Sequence, residues 1–165
     1  YSVPSVYSTS VGMLKRCHDF PRLIFNKVEA FTTDTAYRIK LKSFDSASLV
    51  YSYINSLTAL TAELEGRHYG GGVLELVPSE IRRLLIPIKH VSEKEVYQLD
   101  NLFRCTSSSE DILAQQDKTL LMGIGFSKQT TDELGHAWLK LKQRRQRQPL
   151  PPETVVDEEL EMEVI

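Results

Sequence analysis

The chain has 165 residues, 41% of them hydrophobic and 25% charged, with a formal net charge of −2. That length suits one domain or two small ones, and that apolar content excludes wholesale disorder. No apolar run approaches the about 18 residues of a membrane span and no basic-then-apolar leader opens the chain, so a soluble, cytoplasmic protein without a membrane partner is expected.

Residues 1–12 are rich in Ser, Val and Tyr, include Pro4 and start without Met, as the sequence of a fragment would. Leu23–Phe25 and Ala36–Lys42 read as strands, with the turn residues Thr32-Thr33-Asp34-Thr35 between them. The second strand alternates: Tyr37, Ile39 and Leu41 on one face, Arg38, Lys40 and Lys42 on the other. That cationic face suits either a solvated side of a half-buried strand or contact with DNA. Asp45 or Ser46 can cap a long helix running to Glu65 and stopped by Gly66, with Leu49, Val50, Tyr53, Ile54, Leu57, Leu60 and Leu64 as its apolar face. The run Arg67-His68-Tyr69-Gly70-Gly71-Gly72 follows, then a short strand Val73–Leu76 and a Pro78-started helix to about Leu85.

From Ser92 onward the pattern is helical only. Ser92-Glu93-Lys94-Glu95 is a capping box, with Val96, Leu99, Leu102 and Phe103 at helical spacing. Ser107-Ser108-Ser109 breaks that helix, and Ser109 can cap the next, through Leu121 to Gly123. Ser127 can cap a third, with Leu134, Ala137, Trp138 and Leu141 inward. It ends on Lys140, Lys142, Arg144, Arg145 and Arg147, a run that suits either the helix dipole or phosphate contact. Pro149, Pro151 and Pro152 lead into a segment carrying Glu153, Asp157, Glu158, Glu159, Glu161 and Glu163. Taking those six from 22 acids leaves 16 against 20 basic residues, a mildly basic body.

No catalytic constellation stands out. Gly123-Ile124-Gly125 is half a nucleotide-binding loop, but Lys128 occupies the third glycine position and a helical segment precedes it. His18, His68, His90 and His136 fall in no metal spacing, and Cys17 and Cys105 in no zinc or redox motif. Both thiols are expected to be free.

Three adjacent glycines need a reason, either φ > 0 or close approach of the backbone to a surface. The order helix, Gly turn, strand, Pro-started helix, closed by Ile86-Pro87-Ile88, resembles the C-terminal target-recognition region of adenine-N6 DNA methyltransferases of restriction–modification systems. Arg22–Lys27, Thr33–Ile39, the Ile54-Asn55-Ser56 step and His68–Ile88 carry the resemblance, which spans residues 13–90. Val77 stands where the family often has Thr, so the usual hydroxyl N-cap is lost.

The resemblance implies double-stranded DNA and a missing N-terminal methyltransferase domain as partners. It implies no cofactor in this chain and S-adenosylmethionine in the parent enzyme. The family's cofactor glycines and its Asn-Pro-Pro-Tyr-like adenine pocket are absent; the one Pro-Pro is Pro151-Pro152. The DNA-contacting set it suggests is Arg38, Lys40, Lys42, Arg67, His68, Tyr69, Gly70, Gly71, Gly72, Arg82 and Arg83. The expected fold class is α+β, with short mixed or antiparallel strands and a long packing helix in the first half and a helical second half. Residues 1–90 would be the target-recognition core, 91–148 a helical subdomain and 149–165 a Pro-containing, acidic, flexible tail. The alternative function is a helical protein-interaction module, Ser92–Arg147, docking a catalytic or nuclease subunit.

Overall fold

The computed structural model describes residues 7–106 and 108–147. Pro4, Ser107 and the acidic segment 149–165 lie outside the described residues.

The first sheet is built on a strand that sequence periodicity misses. β2 (Val11–Leu14) follows the two-residue β1 (Tyr7–Ser8) and buries Val11, Gly12 and Met13. Two alternating apolar side chains are too short a run to announce a strand. Its backbone groups find partners on both sides, antiparallel to β4 (Leu23–Phe25) and β6 (Ala36–Ile39), with Met13 opposite both Leu23 and Tyr37. β1 pairs separately with β5 (Phe31–Thr32). The strand expected over 36–42 thus ends at Ile39, with the expected alternation: Tyr37, Ile39 and Leu41 pack on the core, and Arg38 is exposed.

A single residue, Lys15, separates β2 from β3 (Arg16–Cys17), which belongs to a second sheet. Lys15 donates its N–H to the Thr35 carbonyl at 3.3 Å beside one sheet and accepts the Leu76 N–H at 3.1 Å beside the other. The second sheet runs β3–β8–β7, all antiparallel, with β7 at Arg67–Tyr69 and β8 at Val73–Glu75.

The expected long helix is two: α1 (Ser46–Ser52) and α2 (Ser56–Glu65). Asn55 causes the break. Its backbone is extended (φ −165°, ψ 162°), its Oδ1 accepts the Thr58 N–H at 2.9 Å, and its Nδ2 donates to the Ser52 carbonyl at 2.8 Å. One amide therefore closes α1 and caps α2. Asp45, not Ser46, caps α1, its Oδ1 accepting the Ser48 N–H at 2.7 Å. The buried face of α2 is small and polar (Ser56, Thr58, Ala59, Ala62, Glu63), whereas Leu64 faces solvent. Gly66 ends α2 in an extended conformation, where a Cβ would lie 2.6 Å from Leu74 Cδ1.

α3 (Pro78–Ile81) is a single turn rather than a helix to Leu85. Beyond it the chain hands its polar groups to α2: the Leu85 carbonyl accepts the Thr58 hydroxyl at 2.7 Å, and the Leu85 N–H meets Thr61 Oγ1 at 3.3 Å. Pro87 then disfavours helix at Ile86. α4 (Glu93–Cys105) starts at Ser92, whose N–H donates to Glu95 Oε2 at 2.7 Å. α5 (Ser109–Thr119) is capped by Ser108, one residue earlier than expected, because Ser109 Oγ is engaged by Asp19. A 3₁₀ turn, Met122–Ile124, follows, and Gly125 rather than Gly123 takes the left-handed conformation (φ 102°).

α6 (Lys128–Gln146) starts where Ser127 predicts, and Ser127 Oγ accepts the Thr130 N–H at 3.0 Å. Its buried side chains are Thr131, Trp138, Lys142 and Arg145, while Ala137, expected inward, is exposed. The Trp138 ring meets Phe20 edge-on at 6.0 Å, and Phe20 meets Phe103 at 6.2 Å. The fold is α+β, and one buried cluster extends from Val11 through Leu99 and Leu113 to Trp138. Among the described residues no helix is long and apolar enough to cross a membrane.

Candidate nucleic-acid interface

The three glycines are the loop of a β-hairpin, because Arg67–Tyr69 is itself a strand. Arg67 stands opposite Glu75, His68 opposite Leu74 and Tyr69 opposite Val73. The glycines are not equivalent. Gly71 and Gly72 take positive φ (75° and 73°), whereas Gly70 does not. A Cβ on Gly70 or Gly71 would meet nothing within 4 Å; on Gly72 it would sit 3.1 Å from Gln146 Cα. The tip is open on one side and pressed against the end of α6 on the other.

Strand register sorts the side chains. Arg16, Glu75 and Arg67 form a row across the sheet, and directly opposed residues share a face. Arg16 Nε meets Glu75 Oε2 at 2.6 Å, and Arg67 Nε meets Glu80 Oε1 at 2.8 Å. Tyr69 is exposed, with the Arg16 guanidinium 5.8 Å from its ring centroid. Burial pushes the Glu80 carboxyl up, but the Val77 N–H and the Arg67 guanidinium outweigh it and hold the group below its ordinary value. The Val77 N–H bond, 2.8 Å long, is half of a capping box, so α3 starts without the missing hydroxyl.

On the opposite face Leu74 is buried, and the His68 ring lies 3.2 Å from the Glu63 carbonyl and 3.5 Å from Glu63 Oε2. Glu63 is fully buried and bidentate to Arg145, with Oε2 2.9 Å from Nε and Oε1 2.7 Å from Nη2. Arg145 Nη2 also donates to the Asp19 carbonyl at 3.0 Å, and Nη1 donates to the Gly72 carbonyl. Lys142 is paired inward to Asp19 and, at 3.2 Å, to Glu110. Lys142 and Arg145, at the end of α6, are therefore structural. Cys17, beneath them, has its thiol pushed up to about 12 by burial, against the pull of Arg145. Cys17 and Cys105 are both free.

Of the residues singled out in the sequence, Arg67, His68, Tyr69 and Gly70–Gly72 form one hairpin. Arg82 and Arg83 follow α3; Arg82 is exposed and Arg83 is paired with Glu65. Arg38, Lys40 and Lys42 lie exposed on and just beyond β6, a strand of the other sheet. Neighbouring Tyr37 links the regions: Lys15 Nζ is 5.2 Å from its ring, and burial first, then Glu75 and Glu80, raise its hydroxyl pKa.

Arg16, Glu75, Glu80 and Glu63 carry no functional reading in the sequence, and Arg145 carries one only as part of the cation run that ends α6. Arg16 gives no local signal. Glu63 sits four residues after Ala59 on the face of α2 that packs, and Lys142 and Arg145 sit four and seven after Trp138. Helical spacing from those anchors points inward.

Gly123-Ile124-Gly125 lies in a 3₁₀ turn between two helices, not on a strand-to-helix turn, so it does not fit a nucleotide cofactor. Among the described residues no three His, Cys, Asp or Glu side chains converge as metal ligands.

Fold and site together define a small α+β module that displays a charged glycine hairpin, with helices packed behind it. The family model "Type II methyltransferase M.Eco57I, C-terminal domain" matches residues 1–121, and the chain belongs to that family. This bears out the expected resemblance to the C-terminal region of restriction–modification methyltransferases. No curated protein and no solved structure matched the chain.

Proposed function

We propose that this chain is the DNA-gripping, target-recognition portion of an S-adenosylmethionine-dependent adenine-N6 methyltransferase, with catalysis and cofactor in a methyltransferase domain of the parent protein. The observation that carries the reading is the hairpin: an open Gly70–Gly71 tip beside exposed Tyr69, Arg67 and Arg16, in a member of this C-terminal domain family. An enzyme that methylates an exocyclic amine must take the base out of the duplex, and a second domain holds the DNA meanwhile. A side-chain-free tip lets backbone N–H groups approach phosphate where a Cβ would clash. Arg16 and Arg67 already face carboxylates, so phosphate contact exchanges one anion for another. Binding by this chain alone is therefore weak and strongly salt-dependent.

The test is retention of duplex DNA by the full chain across a salt series, beside Arg67→Glu and Arg82→Glu. Absence of DNA binding at about 50 mM salt, where phosphate contacts are strong, overturns the reading.

A second reading, a protein-docking module, is favoured by one feature. An open, largely apolar groove of about 740 Å³ lies between Phe20–Val28 and α4, with Ile24, Val28 and Tyr97 exposed along it. Capture of the separately expressed methyltransferase domain, without DNA binding, is the outcome that would favour it.

A further inference from the structure

We propose that Arg145 is a positioning residue that sets the pose of the glycine hairpin, so that α6, beyond the matched residues, is part of the recognition apparatus. This rests on the function proposed above. The guanidinium is divided among three elements: both oxygens of Glu63 on α2, the Asp19 carbonyl, and the Gly72 carbonyl in the hairpin loop. Its planar fork allows this simultaneous grip, which an ammonium cannot reproduce. The contact is tight around it: Gly72 lies against Gln146, whose Nε2 donates to the His18 carbonyl at 2.5 Å. The loop is thus pinned on its Gly72 side and free on its Gly70–Gly71 side.

Stability alone does not explain this choice. A buried ion pair is often matched or exceeded by an apolar pair of similar volume, because desolvating two charges offsets their attraction. An apolar pair, however, offers no donor to the Gly72 carbonyl. β8 is held on both sides, by β3 and β7, but β7 is a three-residue edge strand with β8 as its one strand partner, so the placing of the loop between them depends on contacts from outside the sheet. A fixed tip binds better because less conformational freedom is lost on contact.

The experiment compares the full chain with the Glu63→Met/Arg145→Met double variant and with Arg145→Lys. Melting temperature, exchange of the β7–β8 amides, the ¹⁹F signal of fluorotyrosine at position 69 and duplex DNA affinity are read in each. The double variant is expected to melt close to the parent, yet to lose hairpin protection, average the Tyr69 signal and bind DNA roughly tenfold more weakly. Arg145→Lys keeps the charge and is expected to loosen the hairpin similarly. A double variant of parental stability with parental hairpin order and DNA affinity overturns the proposal. Should the double variant not fold, unchanged hairpin exchange in Arg145→Lys does the same. If the parent binds no DNA, the recognition reading falls, while amide exchange and the Tyr69 signal still decide whether Arg145 positions the hairpin.

Discussion

The Asp117 carboxylate on α5 accepts the backbone N–H of Ser56 at 2.8 Å, at the first turn of α2. With Asn55 it occupies donors that a helix start leaves open, and it fastens α5 to α2. Asp117 is almost fully buried, and burial raises its pKa against the lowering effect of the Ser56 bonds.

The first prediction concerns pH. A carboxyl with a raised folded-state pKa contributes stability fully present below the ordinary Asp value of 3.8 and lost as pH rises through the raised value. Asp117→Asn keeps an acceptor for Ser56 and removes the charge. Its melting temperature relative to the parent should therefore climb with pH across that window, and a flat difference would refute the assignment. Asp117→Ala orphans the Ser56 N–H and should cost about 1–3 kcal/mol below that window, a cost that shrinks as the parent loses stability across it.

The second prediction separates the three glycines. Gly70→Ala, in open space without positive φ, should change stability by no more than about 0.5 kcal/mol. Gly71→Ala has room but the wrong φ and should cost about 1 kcal/mol. Gly72→Ala has the wrong φ and Gln146 at 3.1 Å, so about 2–3 kcal/mol is expected. Urea unfolding of the three variants gives the order, and a Gly70 variant weaker than Gly72 would contradict it.

The third prediction concerns Asn55. Its replacement by Ala removes the α2 cap and the bond to the Ser52 carbonyl together, for a loss of about 2–3 kcal/mol. Asn55→Asp keeps the cap but sets a buried carboxylate oxygen against the Ser52 carbonyl, so it should also destabilise, and more at neutral than at acidic pH, in chemical denaturation.

The fourth concerns DNA. Non-specific dissociation constants on the order of 10⁻⁴–10⁻⁶ M are expected for the full chain, weakening steeply with salt. Arg67→Glu and Arg82→Glu should weaken binding to every duplex alike. A chain ending at Gln148 lacks six acids that repel a polyanion and should bind more tightly. Filter retention of both lengths on two unrelated duplexes measures each effect.

The helix starts at Asp45, Ser92 and Ser127 were legible because a cap is a local signal, written within four residues of where it acts. The glycine turn was legible for the same reason. β2 and β7 were not, because Val11–Leu14 and Arg67–Tyr69 become strands through partners that arrive later in the chain. Asn55 was legible as a family-like step but not as a break, since the apolar spacing of 49–64 continues through it. In the sequence Lys142 and Arg145 belong to a run that suits a solvated helix end or phosphate contact. What turns them inward are carboxylates far upstream: Arg145 and Glu63 are 82 residues apart.

Trp138, 1% exposed, lies 17 residues beyond the last residue that family similarity recognises. The stretch shared by descent and the stretch that must fold together are thus different lengths. A fragment trimmed at residue 121 would strip the indole from Phe20 and leave the Glu63 carboxylate without its cation. Expressed that way, the recognisable domain would be a poor folder whose failure said nothing about DNA. A boundary for producing it belongs after Arg147, where α6 ends.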